Sequence, residues 1–422
     1  MRYRTLLLPV TLAIAAAGVI AALVPLPPAA GNAAVSLGPR LEFKHPGRGH
    51  EVHVSGVSVA AMPEGGALVT WGADEGPVNR VYVARLGSGP PAVTRVNPDD
   101  LSLEALHHPP RLAVAAAGDV YLSWSSVKPK PEGTLFASDL RLSRSADGGQ
   151  SFTGHLRVND DRPISHSFDG LTVTSDGTVL VSWLDSRAGG PNAGTYLARV
   201  VEGGARVESV TKVGDDTCVC CRVDAATGPG EAVALLWRKV FPGDIRDMVL
   251  STSHDGGRSF GPATLVAADH WRITGCPHRG GSVGMDGRGR IYVTWYTEGT
   301  EGRPDLYFAT SDDGRTFGAK RRLHTSSTSI PDHVRLAVQR DGRAVIAWEE
   351  ATAVRRRILF RYTADGGRTL SPIQTLSTAI KAWEPDVAAA ADGSFRIAWH
   401  EERFPSVTTV VETVRVAAPG AR

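Results

Sequence analysis

The sequence predicts an all-β fold, a β-propeller of four-stranded antiparallel blades, and three observations carry that prediction. A short β-rich run ending in tryptophan recurs about every 54 residues. It reads GGALVTW to Trp71, DVYLSW to Trp124, TVLVSW to Trp183, AVALLW to Trp237, RIYVTW to Trp295, RAVIAW to Trp348 and SFRIAW to Trp399, with gaps of 53, 59, 54, 58, 53 and 51 residues. A repeat of that length made of strands implies blades around a channel, with ligands at one mouth of it. A second segment keeps the same phase: SADGGQSF (Ser145–Phe152), STSHDGGRSF ending at Phe260, SDDGRTF (Ser311–Phe317) and TADGGRTL (Thr363–Leu370). In each, an Asp side chain can accept backbone N–H groups inside a tight turn, glycines take positive φ, and a bulky residue plugs the gap between two strands. Lastly, 46 Gly and 27 Pro suit a chain with many turns, and no long helical apolar period follows residue 40.

The elements follow in order. Arg2 and Arg4 precede an apolar run from Leu6 to Leu26 and then PPAAGNAAV, so residues 1–33 read as a signal peptide. The run is about 20 residues long, which also suits an uncleaved N-terminal membrane anchor. Either way the protein is expected outside the cytoplasm, periplasmic or secreted, where cysteines can be oxidised. One blade is illustrated by the second unit. LAVAAAG (Leu112–Gly118) is a small-residue inner strand, DVYLSW alternates as the second, TLFASDLRLSRS is the third and HLRV (His155–Val158) the fourth. Small side chains belong on the inner strand because blades crowd near the axis. The last unit ends near Val416 after VVETVRV, its third strand, and Ala34–Phe43 (AVSLGPRLEF) can supply the fourth, so that no sheet edge stays open. This favours seven blades, within a single domain spanning 34–416 and followed by a tail, 417–422. Net charge is +2, which gives no reason to invoke nucleic acid or an anionic membrane surface.

The turn segments match the Asp-box pattern, and over roughly residues 50–416 the chain resembles the sialidase superfamily. That resemblance implies six blades as the alternative count, arginines gripping a sugar carboxylate, a Tyr nucleophile paired with Glu, and an Asp acid. An early arginine in an Arg-Ile-Pro context, usual there, is missing. Arg111, Arg222, Arg279 and Arg335 fall near inner strands and are the candidates to collect an anion. Tyr296 and Glu298 (WYTEG) and Asp185 (WLDSR) lie just past second strands and are the weak catalytic candidates. A narrower resemblance lies in DDTCVCCRVDA and DHWRITGCPHRGG, which look like exported bacterial Asp-box proteins with a Cys-x-Cys-Cys run and a later Gly-Cys-Pro-His. It implies a shared site and no particular reaction.

The mouth is the remaining expectation. Inner strands can be aligned by counting 12 residues back from each tryptophan, to Val59, Leu112, Leu171, Ala225, Val283, Leu336 and Val387. Three to five residues earlier stand His107 and His108, His166, Cys220 and Cys221, His278, His333 and Glu384, with Cys276 beside His278 and His53 six residues before Val59. Imidazoles and thiols converging from several blades are metal-competent, which suits copper or zinc. The metal candidates are His107, His166, Cys220, Cys221, Cys276, His278 and His333. Disulfides compete for the same sulfurs, with Cys221–Cys276 as the candidate bridge, and free thiols or a Cys276 nucleophile with His278 or His166 as its base stay open. The expected function is therefore a monomeric sialidase-like propeller binding a metal ion or a small anionic ligand at its mouth. The alternatives are an exo-sialidase type glycoside hydrolase and a protein-interaction scaffold. Partners are a small molecule, a glycan or a metal ion; a membrane enters only through the N-terminal anchor.

Overall fold

A computed structural model describes residues 34–45, 52–129, 132, 136–187 and 189–418. The signal-peptide or anchor segment lies outside the described residues, and so does the end of the tail. Among the described residues there are strands and no helix. Ala33–Arg422 forms one compact unit.

The strands pair in sets of four antiparallel neighbours. The inner strands are Ser58–Ala61, Arg111–Val114, Ser167–Val173, Asp224–Thr227, Ser282–Met285, Ile330–Val338 and Lys381–Ala389. Each packs against the next, and Lys381–Ala389 returns to Ser58–Ala61, so the inner strands close a ring. The second strand of each set carries the tryptophan, and third and fourth strands lie farther out. Two pairs of adjacent sets are joined into eight-stranded sheets. One joint is a single antiparallel residue pair, Thr217↔Lys239, and the other a single parallel one, Arg356↔Lys381.

The tryptophans hold adjacent sets together. Trp124 packs with Leu68, Val81 and Val83 of the preceding set, Trp183 with Tyr121 and Leu140, and Trp295 with Leu236 and Met248. Each is 0 % exposed. Burying a ring of roughly 200 Å² at about 25 cal/mol per Å² contributes on the order of 5 kcal/mol per site. Near the axis space is short. A Cβ on Gly284 would come within 2.5 Å of Val338 Cγ2 and 2.9 Å of Leu336 Cδ1, so the neighbouring inner strands approach too closely for any side chain there.

The recurring turns are built alike. Ser145 Oγ donates to Asp147 Oδ1 (2.7 Å), which also accepts the N–H groups of Gln150 (3.0 Å) and Ser151 (2.9 Å). Gly149 adopts φ +89° and donates to Ser145 Oγ; an added Cβ there would meet Leu68 Cδ2 at 2.8 Å. Ser253/Asp255, Ser311/Asp313 and Thr363/Asp365 repeat the bonds. Each turn follows a third strand. Because strands alternate in direction, it lies at the end opposite to where inner strands begin.

The strand Val35–Lys44 pairs antiparallel with Ser406–Val416, from Val35↔Val416 to Lys44↔Thr408. Arg40 Nη2 donates to Glu401 Oε1 at 3.1 Å, and His45 Nε2 meets Thr409 Oγ1 at 2.8 Å. These contacts cover what would otherwise be the open edge of the last strand.

Candidate functional site

The start of each inner strand decides what faces the mouth. Three of these strands carry one extra residue against their partner. Register shifts fall between Ser167 and Gly170, Asp332 and Arg335, and Trp383 and Asp386. The bulged residues take left-handed backbone: Phe168 (φ 57°), His333 (φ 48°) and Glu384 (φ 49°). A bulge re-aims a side chain and reverses the in–out alternation beyond it. Phe168, His333 and Glu384 stand three residues before the aligned position, as do Gly56, Pro109, Arg222 and Gly280. All seven line one cavity of about 390 Å³. His107, His278, Arg279, Tyr296, Asp332 and Arg335 complete its polar wall. One residue before the aligned position, Ser58, Arg111, Gly170, Asp224, Ser282, Arg335 and Asp386 line the channel behind.

The cations of this wall differ in how fully they are neutralised. Arg279 Nη2 donates to Asp332 Oδ2 at 2.6 Å, and its guanidinium lies 4.9 Å over the Tyr296 ring. Arg222 is 7 % exposed. It donates to two backbone carbonyls, Asp169 O at 2.5 Å and Pro109 O at 3.2 Å, and its closest carboxylate approach is 3.6 Å, to Asp169 Oδ1. Burial and the neighbouring Arg111 push the Arg222 guanidinium well below its ordinary range. Burial and Arg111 likewise bring Arg335 down to about 10, where it is still charged at neutral pH. Its nearest carboxylate, Asp386, is 3.8 Å away. Two guanidiniums thus reach the cavity with a carboxylate at ion-pair distance but none hydrogen-bonded to them among the described residues.

Tyr296 O–H donates to Glu298 Oε1 at 2.5 Å. Burial, reinforced by Glu298, pushes the phenol up. His333 Nδ1 sits 3.2 Å from Glu349 Oε2. Burial opposes its charge, but Asp332, Glu349 and Glu384 together raise it to about 9, so His333 is an imidazolium at neutral pH. His107 goes the other way, down to about 4, through burial and the neighbouring His108 and His278. His278 is lowered by burial and by His108. The rings of His107, His108, Phe168 and His278 touch in a cluster, with centroids 4.1–6.4 Å apart.

The sulfurs gather beside that cluster. Cys220, Cys276 and His278 present donor atoms within 4.8 Å of one another, and so do Cys218, Cys220 and Cys221. All four cysteines are free. The Cys221–Cys276 bridge is therefore not formed. Cys221 is fully buried with its sulfur 3.3 Å from Cys218, whereas Cys276 is exposed and faces Cys220 and His278.

The structure thus brings together His107, His278, His333, Arg222, Arg279, Arg335 and Tyr296, with Glu298 bonded to Tyr296, and leaves others apart. His166 is buried beneath its blade, its Nδ1 2.7 Å from Ser138 O. The extra residue at Phe168 turns it away from the mouth. Asp185 is engaged by Trp183 Nε1 (2.9 Å) and by Arg187, 3.9 Å from His166. Neither lines the cavity. Arg111 lies in the channel, 4.0 Å from Asp386. Asp332, Glu349 and Cys218 were not among the sequence candidates. Asp332 and Glu349 are partners of residues that were, and Cys218 was signalled only by its neighbours in Cys-x-Cys-Cys.

No family model and no curated protein matches the chain. Solved structures do resemble it. A protein of unknown function from Dyadobacter fermentans is 13 % identical, covering 91 % of this chain and 99 % of that one, with a TM-score of 0.53. An ulvan lyase of polysaccharide lyase family PL25, bound to a GlcA-containing saccharide, is 10 % identical over 84 % and 93 %, also at 0.53. A Hadza microbial sialidase is 12 % identical over 88 % and 92 %, at 0.51. The fold is a β-propeller, the architecture these structures share. At these identities the likeness concerns architecture and carries no activity with it.

Proposed function

We propose that this is an exported, seven-bladed, monomeric propeller that binds a carboxylate-bearing saccharide at the channel mouth. Arg222 and Arg335 would take the carboxylate, and Arg279 and the His333 imidazolium would flank it. One observation carries the reading: cationic side chains at the starts of several inner strands line a single cavity of about 390 Å³, two of them with carboxylates no nearer than 3.6 and 3.8 Å. That volume lies within the range of small-ligand sites. Anionic sugar chemistry in structurally similar proteins agrees with it. Charge-assisted hydrogen bonds from a planar guanidinium fork suit a carboxylate and not a neutral hydroxyl.

The test is calorimetric titration with N-acetylneuraminate and with a glucuronate-containing oligosaccharide, against neutral sugars of equal size. Preference for the acids supports the reading; equal or absent binding of both classes removes it. A second reading, retaining glycoside hydrolysis, rests on the Tyr296–Glu298 hydrogen bond at the cavity wall. Release of the aryl group from an aryl sialoside tests it directly. A carboxylate acid on the leaving-group side would then come from Asp332 or Glu384, because Asp185 does not reach the cavity.

A further inference from the structure

The four cysteines converge at one place, where the chain passes from the strand Arg206–Thr217 to the inner strand Asp224–Thr227. Cys218 N–H is held by Arg238 O at 2.9 Å, and the turn closes with Cys221 N–H on Cys218 O. This sets Cys220 Sγ 3.8 Å and Cys221 Sγ 3.3 Å from Cys218 Sγ. All three side chains are buried. From the next set, Cys276 and His278 reach across to Cys220, their donor atoms within 4.8 Å of one another. Cys220 belongs to both groups.

Sulfurs at these separations are too far apart for a disulfide, whose bond is about 2.05 Å. Metal–sulfur bonds of about 2.3 Å at tetrahedral angles place sulfurs about 3.8 Å apart; the Cys218–Cys220 pair stands at 3.8 Å and the Cys218–Cys221 pair is tighter at 3.3 Å. Thiol side chains are weak donors and weak acceptors, so mutual hydrogen bonding gives little reason to collect four of them at one point. A cation stands beside one of these sulfurs: Arg246 Nη1 lies 3.3 Å from Cys218 Sγ. Two thiols and an imidazole, with two further thiols beside one of them, are soft donors that select zinc or copper(I) over magnesium or calcium.

We propose that Cys220, Cys276 and His278 bind a thiophilic metal ion, with the buried sulfurs of Cys218 and Cys221 lying beside Cys220. His166 and His333 have no part in it. Such an ion would tie the loop carrying Cys276, His278 and Arg279 to the start of the neighbouring inner strand. It would fix one wall of the mouth without itself being the ligand site. The proposal stands on the sulfur geometry and is independent of the anion reading.

The test uses the full chain, purified reduced and without a polyhistidine tag, titrated with Co²⁺, Zn²⁺ and, under anaerobic conditions, Cu⁺ against a chromogenic chelator. Roughly one equivalent of Co²⁺ is expected, giving thiolate-to-cobalt charge transfer and the intense d–d bands of a tetrahedral site. Bound Zn²⁺ or Cu⁺ should also slow alkylation of Cys276. Cys220→Ser should abolish binding. Because that residue is buried, Cys276→Ser and His278→Asn at the exposed side provide the folded controls, each weakening the metal by roughly 10-fold or more. The tighter of Zn²⁺ and Cu⁺ identifies the ion. Three results overturn the proposal: no thiolate bands with cobalt, alkylation at the same rate with and without metal, or folded protein as purified with its cysteines in disulfides.

Discussion

Replacing Arg222 by methionine separates holding the mouth together from gripping a ligand. Methionine keeps an unbranched stem and much of its packing but removes the guanidinium. The carbonyls of Asp169 and Pro109, now 2.5 and 3.2 Å from Arg222 nitrogens, lose those donors. A buried acceptor left unpaired costs about 1–3 kcal/mol, so the pair would cost about 2–6 kcal/mol. Against that, the substitution removes a buried cation that stands next to Arg111 and Arg335, whose repulsion with burial already depresses its protonation. Relief of that repulsion offsets part of the loss, and a net loss of about 1–3 kcal/mol in a domain of this size lowers Tm by roughly 1–4 °C. The effect on a bound carboxylate has no such compensation. A charge-assisted hydrogen bond contributes about 1.5–3 kcal/mol, so affinity should fall by roughly 10- to 150-fold.

Calorimetric titration with a glucuronate-containing oligosaccharide reads the second quantity, and scanning calorimetry of the same sample reads the first. Arg222→Lys keeps the charge without the fork and should fall between the two. A methionine variant that melts lower yet binds as tightly as the wild type would refute the reasoning. Arg222 would then be a brace for two carbonyls, and the mouth's charge would not be what selects the ligand.

Other substitutions probe the remaining parts of the wall and the turns. Tyr296→Phe removes the hydroxyl that donates to Glu298 and keeps the ring under Arg279, so anion affinity should change by less than about 2-fold. Whatever aryl sialoside hydrolysis the wild type shows should fall by about 100-fold or more, and unchanged turnover would exclude Tyr296 as the nucleophile. His333, raised to about 9 from 6.5, stabilises the fold fully below pH 6.5 and loses that contribution as pH rises through 9. Its side chain is 37 % exposed, so solvent keeps the effect modest. Melting curves of wild type and His333→Gln should converge between pH 6.5 and 9, and parallel curves would deny the imidazolium. Asp313 is held down to about 2, first by the backbone N–H groups of Thr316 and Arg315. Its contribution is present above pH 3.8 and lost as pH falls through 2, so Asp313→Asn should melt lower at neutral pH and show a shallower acid decline.

The fold was legible because its two signals obey hard geometric limits. A tryptophan between adjacent sets must recur once per set, and a turn that satisfies backbone N–H groups with one carboxylate admits few sequences. Trp124, Trp183 and Trp295 each bridge neighbouring sheets, and Asp147, Asp255, Asp313 and Asp365 accept the same bonds. The pairing of Val35–Lys44 with Ser406–Val416 has a similar origin: a last set with three strands leaves an edge only the other end of the chain can cover.

The site was legible only in part, and the bulges explain why. Counting three to five residues back from the aligned position treats every residue in the window as facing the mouth, whereas successive strand residues face opposite sides and a bulge shifts that alternation. One extra residue at Phe168, His333 and Glu384 makes that shift. In the third set it leaves Phe168 in the cavity and sends His166 under the sheet toward Ser138 and Asp185. His107 and His278, which stand at the same five-residue offset as His166, do line the cavity. Cys220 and Cys221 do not. The tight turn from Cys218 folds their sulfurs inward, toward one another and, through Cys220, toward Cys276. What looked like one ring of imidazoles and sulfurs is two neighbouring constructions, a cationic wall around the cavity and a sulfur cluster behind it. They share His278, which lines the cavity and lies within ligand distance of Cys220. A ligand at the mouth and an ion at the sulfurs would therefore bear on the same side chain.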